Sequence, residues 1–173
     1  GFREGETLVK GVGLAFMGVG LLAGASGMRG AIVAKKLGPV SVQFRPLRTT
    51  PGGRVQCRVA FEVISAVQLS GVHVELSCEE QTVSGAGTDR RTYTEELFAF
   101  EDDWHGPELL SSGEEFEASG DLVIPEDGDY SFRSTNTRVA WRAKVTIAIT
   151  GWPDHVTETR VLVRAGSGPD DDE

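Results

Sequence analysis

The sequence predicts an all-β chain, one antiparallel β-sandwich over residues 37–165, preceded by an apolar helix within residues 1–36. Three observations lead there. Apolar residues recur with a period of two in segment after segment, which is the pattern of half-buried strands. Turn signals rich in Gly, Pro, Asp and Ser separate those segments. Helical periodicity is almost absent beyond the N-terminal run. A chain of 173 residues holds one domain with a real core and a short appendage, and is short for two.

The first element is the uncharged stretch Gly11–Met28, GVGLAFMGVGLLAGASGM, between Lys10 and Arg29. As a helix it is about 27 Å long, close to the hydrocarbon thickness of a bilayer. Its Gly and Ala content suits a transmembrane helix better than a soluble one. Gly20 and Gly24 form a GxxxG pair, a close-packing face for a partner helix and hence a route to a homo-oligomer. A signal peptide is a second reading, with Lys10 before the apolar run and small residues around Ala23–Ser26 as a cleavage site. A soluble helix packed on the domain is a third, although glycines at 11, 13, 18, 20, 24 and 27 would make it a poor one. Gly1 also fits a fragment of a longer chain. Arg29, Lys35 and Lys36 follow the run, so the positive-inside rule places the β domain on the cytoplasmic side of a single-pass membrane protein.

The strands follow in order. Val40, Val42 and Phe44 alternate with polar residues until Pro46. Thr50–Gly53 is a turn. Val55, Cys57, Val59, Phe61 and Val63 make the clearest alternation in the chain. Ser70–Gly71 reads as a turn into Val72, Val74, Leu76 and Cys78. Gln81–Thr88 is polar and reads as a loop or hairpin tip. Strand character resumes over Arg91–Phe100, around Tyr93, Leu97 and Phe98. Glu101–Gly113 reads as a long acidic loop. Phe116 to Ile124 is another strand, closed by Pro125. Arg138–Thr150 is the longest strand candidate, and Gly151–Asp154 turns it into Val156–Arg164 as a hairpin. Residues 166–173, GSGPDDDE, read as a solvated, disordered acidic tail. The total is seven or eight strands, an antiparallel sandwich with no sustained repeat.

Composition narrows the function. The net charge is −9, with about +3 on residues 1–36 and −4 on the tail, so the domain between is strongly acidic. Such a domain repels phosphate backbones, and no nucleic-acid partner is expected. Two cysteines, Cys57 and Cys78, are too few for a disulfide-dense scaffold. Both fall on core-facing positions and read as buried thiols, with a disulfide as the alternative. No CxxC or Cys–His cluster suggests zinc.

No catalytic constellation stands out. His73, His105 and His155 are scattered, and no GxSxG motif occurs. Gly11–Gly13 and Gly18–Gly20 follow no strand and make no phosphate loop. Glu101, Asp102, Asp103, His105 and Glu108 cluster in one segment. That segment reads as a solvated acidic loop, with Ca²⁺ coordination as the less favoured alternative. No catalytic residue, metal site or cofactor is expected. Trp104 and Trp152 fall in expected loops, where an aromatic either anchors an interface or packs over the sandwich end. Exposed strand edges offer a second device, since an extended peptide can add a strand there.

The stretch LVIPEDGDYSFRSTNTRVAWRAKVTIAITGWPDHVTETRVLV is similar to the arrestin-like superfamily. Leu122–Pro125, Ser131–Phe132–Arg133 and Trp141–Ile149 carry the resemblance, joined by Pro51–Gly53 and the third-strand pattern Val72–Cys78. The match covers most of residues 40–164. It resembles a single arrestin-type domain of immunoglobulin-like architecture, as in sporulation-control-like and retromer-subunit-like proteins. The resemblance implies a non-enzymatic adaptor or scaffold that binds a protein partner by edges and loops. With the apolar helix, the expectation is a membrane-tethered interaction domain. An exported binding domain of the cell envelope, carrying a disulfide or a Ca²⁺-binding acidic loop, is the alternative.

Overall fold

The computed structural model describes residues 36–85 and 87–165. The apolar run 11–28 with its Gly20–Gly24 pair, and the acidic segment 166–173, lie outside the described residues. Among those described, no helix is long and apolar enough to cross a membrane.

The described chain is built of strands and one 3₁₀ turn, Gly87–Asp89. The strands are β1 (Ser41–Arg45), β2 (Arg48–Thr49), β3 (Arg54–Glu62), β4 (Val67–Ser84), β5 (Arg91–His105), β6 (Glu108–Leu110), β7 (Glu115–Val123), β8 (Phe132–Arg133), β9 (Thr137–Ile149) and β10 (His155–Val163). They form two sheets. The smaller has the order β1-β3-β7; the larger runs β2-β10-β9-β4-β5, with β6 also pairing β4 and β8 also pairing β9. Every pairing is antiparallel except that of β2 with β10.

The period-two pattern decides which side chains enter the core. From β3, Val55, Cys57, Val59 and Phe61 point inward and their neighbours outward. From β9, Trp141, Ala143, Val145, Ile147 and Ile149 do the same. Val72, Val74, Leu76 and Cys78 of β4 complete the facing layer. Burying one such Val, Leu or Ile side chain contributes about 1.5–3 kcal/mol, which is why one register is strongly preferred over a one-residue slip. Phe61 and Phe116 stack at 4.7 Å across the β3–β7 pair. Trp141 is buried at the centre, and its indole Nε1 donates to the Asp129 carbonyl at 2.7 Å. That bond satisfies the one polar atom the ring brings into the core.

Cys57 and Cys78 are both buried and free. They belong to strands consecutive in sequence but in different sheets, Cys57 on β3 and Cys78 on β4. Burial pushes both thiols up to about 12, with the nearby Asp129 and Glu79 charges adding to the effect at Cys78.

Three segments differ from the sequence expectation. Ser70–Gly71 is an irregularity within β4 and not a turn: pairing with β9 slips between Leu69 and Gly71, and the strand continues. Close approach favours glycine there, since a Cβ on Gly71 would lie 3.0 Å from the His73 ring and 3.1 Å from the His105 carbonyl oxygen. The polar Gln81–Thr88 stretch is strand as far as Ser84, so the β4–β5 hairpin is longer than its apolar pattern suggests. The acidic stretch from Glu101 is strand up to His105, followed by β6.

Candidate interaction edge

β5 is the last strand on one side of the larger sheet, and among the described residues only β4 pairs with it. Its 15 residues therefore carry a row of outward backbone donors and acceptors along an open edge. The side chains are unusual for such a position. Tyr93, Leu97 and Phe100 are all exposed, and most of the strand is open to solvent.

Register explains why. Phe98 and Phe100 pair with Cys78 and Leu76, so they share the core-facing side of the sheet. Phe98 reaches the core, with its ring 5.5 Å from that of Trp141. Phe100 remains 41% exposed. The edge of the smaller sheet facing β5 is β7, and these two strands belong to different sheets with no ladder between them. The sandwich is thus open along this side, with apolar side chains at its mouth. Towards the Arg91 end, the hairpin pairs Ser84 with Arg91 and Thr82 with Tyr93, where both strands are largely polar and partly exposed.

Trp104 closes one end of the mouth. It sits on β5, not in a loop, and packs half-buried against the core. Its ring lies over Gly120 of β7, so close that a Cβ there would be 2.8 Å from Trp104 Cζ2. Trp104 thus packs over the open end of the sandwich, with part of its ring left exposed. Trp152 lies in the β9–β10 turn, where Gly151 takes φ +76° and the Trp152 amide donates to the Ile149 carbonyl at 3.0 Å. Its ring is 38% exposed and lies outside the core cluster. The Lys36 ammonium stands 5.1 Å from its centroid, a cation–π contact.

Charged groups gather beside the edge, those of His73, Glu75 and Lys144 on the outer face and His105 edge-on against buried Phe116. His73 Nδ1 bonds the Asp103 carboxylate, His105 Nε2 bonds Glu108 at 2.6 Å, and Lys144 donates to Glu75 at 2.7 Å. Glu75, sharing a hydrogen bond with it, raises Lys144 above its ordinary value. A shallow cleft of about 260 Å³ lies among His73, Glu75, Asp103, Lys144 and Thr146. Within it His73 pairs with Asp103 and Lys144 with Glu75, while Glu101 and Asp102 also line it; partly exposed pairs of this kind contribute little each. Among the described residues, no group of three or more His, Cys, Asp or Glu side chains is arranged to hold a metal. His155 is held below the ordinary imidazole range by burial.

No family model matches the chain, and no curated protein matches it. Solved structures do. The crystal structure of Spo0M, a sporulation control protein from Bacillus subtilis, superposes with a TM-score of 0.56 at 17% sequence identity. The match covers 76% of this chain and 50% of Spo0M, so the chain spans half the length of that protein. At that identity the likeness is one of fold: the described domain is an arrestin-like β-sandwich.

Proposed function

We propose that this chain is a membrane-tethered, non-enzymatic adaptor whose β domain lies on the cytoplasmic side and binds a protein partner by strand addition. The observation that supports this reading is the open edge of β5, with exposed Tyr93, Leu97 and Phe100 beside unpaired backbone. Native sheets blunt such an edge with proline, charged side chains (lysine above all), β-bulges or a covering loop. β5 has neither proline nor lysine, and of these devices carries acidic side chains and two register shifts against β4. An added strand gains affinity from main-chain bonds and selectivity from alternate side chains. The strand carries Glu95, Glu96, Glu101, Asp102 and Asp103 against a single base, Arg91. Its partner on this reading is an extended segment with alternating apolar and basic residues. The same charges disfavour pairing of β5 with a second copy of itself.

The test is a random heptapeptide library selected on the intact chain. The reading expects basic, β-prone peptides whose binding is lost on Tyr93→Glu with Leu97→Lys and retained on Trp152→Ala. Selected peptides that are indifferent to the β5 changes overturn it. The tether has its own test. Intact chain should pellet with membranes and resist carbonate, while a chain starting at residue 37 should not. Labelling of Cys57 and Cys78 after denaturation without reductant separates the cytoplasmic reading from an exported, disulfide-bonded one.

A further inference from the structure

The larger sheet carries a second feature, unrelated to the β5 edge. β8 and β10 share one side of β9: β8 pairs with Arg138 and Val139, and β10 pairs from Trp141 onward. Ala140 is left between them, and a cleft of about 230 Å³ opens there, with an apolar lining that includes exposed Phe132. The Ser131 amide donates to the Val163 carbonyl at 2.8 Å, and the Val163 amide donates to Ser131 Oγ at 3.0 Å, which fixes the two walls.

Arginines surround this cleft. Arg133, Arg138 and Arg160 line it and Arg142 lies beside it, paired across strands with Arg160. Arg142 is matched by Glu79 at 3.5 Å and Glu158 at 3.6 Å. Among the described residues, Arg133, Arg138 and Arg160 have no ion-pair partner. Arg138 is held below the ordinary guanidinium range by desolvation and by the charges of Arg160, Arg142 and Arg133. In a chain of net charge −9, this concentration of unmatched cations is a local reversal of sign. It suits carboxylates, which arginine holds by paired, charge-assisted hydrogen bonds.

We propose that the cleft between β8 and β10 is the docking site of this chain's own acidic segment Asp170–Glu173, whose carboxylates pair with Arg133, Arg138 and Arg160. Two facts favour this occupant. Leu162 lines the cleft, and Asp170 follows it by eight residues, a reach of up to about 27 Å for extended chain. The segment holds four consecutive acids and no apolar residue beyond Gly166–Pro169, so charge is what it can dock with. A tether of this length gives an effective concentration in the millimolar range, so even a weak site is substantially filled. The proposal stands independently of any partner at β5.

The test measures binding of a labelled peptide of residues 165–173 to the full chain in a non-ionic detergent. Three chains are compared: the natural chain, one with the tail neutralised (Asp170→Asn, Asp171→Asn, Asp172→Asn, Glu173→Gln), and the neutralised chain further carrying Arg133→Gln, Arg138→Gln and Arg160→Gln. The neutralised tail frees the cleft, so peptide affinity should rise about fivefold or more over the natural chain, and the arginine changes should then reduce it about tenfold. Arg54→Gln with Arg58→Gln, on the other sheet, should change nothing, and circular dichroism should show every variant folded. Equal affinity for natural and neutralised chains overturns the proposal, since the cleft would then be empty of its own tail. Binding indifferent to the three arginines also overturns it. So does arginine-dependent binding of phosphatidylserine vesicles without peptide binding, which would assign the cleft to a lipid headgroup.

Discussion

The ring of Trp104 on β5 lies against the backbone of Gly120 on β7, with room for no side chain between them: a Cβ on Gly120 would fall 2.8 Å from Trp104 Cζ2 and 3.0 Å from Cε2. This contact joins two strands that share no ladder, and it sets where the open side of the sandwich ends. Gly120→Ala should therefore push Trp104 outward and destabilise the domain by about 1–3 kcal/mol. The check is urea denaturation with tryptophan emission, which should shift to the red. Trp104→Ala should absorb much of that cost, so the double variant should lose less than the sum of the singles.

Trp141 is the largest fully buried side chain, and its Nε1–H has one partner, the Asp129 carbonyl. Trp141→Phe removes the donor and leaves that carbonyl short of a bond, for a loss of about 1–3 kcal/mol. Trp141→Ala also opens a cavity and should cost about 3–5 kcal/mol. Both are read from denaturation midpoints at constant slope.

The two thiols give a pH signature. Burial raises Cys57 and Cys78 to about 12, so the fold favours their neutral form. Their contribution is complete below the unfolded thiol value, about 8.5, and is lost as pH rises towards 12, because the unfolded state ionises first. The denaturation midpoint should fall from pH 8.5 to 10.5, and Cys57→Ala with Cys78→Ala should flatten that fall. Native chain should also resist thiol reagents at pH 8 that label it quickly in denaturant.

His155 gives the opposite slope. Burial depresses it below its ordinary value, so the stability it contributes is present above about 6.5 and is lost as pH falls through the folded value. His155→Gln should reduce the loss of stability between pH 6.5 and 5, read from thermal midpoints across that interval.

Much of the fold is legible in the sequence where one face of a strand is buried. β3, β7, β9 and the middle of β4 alternate strictly because each presents one face to the core, and the Gly151 turn between β9 and β10 carries its own chemistry. Legibility ends where burial does. The distal β4–β5 hairpin, from Gln81 to Thr94, has little core to face and so no apolar period to read. Trp104 sits within Glu101–His105, where three consecutive acids, of which Asp103 pairs with His73, disguise the strand as a loop. β2, β6 and β8 are two or three residues long, too short for any periodicity. Gly71 reads as a turn because glycine in a strand and glycine in a turn look alike without knowledge of what approaches it. The candidate surface was legible only in part: Tyr93 and Leu97 mark a strand, but their exposure depends on β5 being the last strand of its sheet. Arg133, Arg138, Arg142 and Arg160 are spread over 28 residues and meet only through the β8–β9–β10 pairing.

The most direct measurement of strand addition is amide hydrogen exchange of the intact chain with and without a selected basic peptide. Strand addition at the open edge predicts new protection along Arg91–His105, with β1, on the far side of the smaller sheet, unchanged. Protection that appears elsewhere while β5 continues to exchange freely would contradict recognition at this edge.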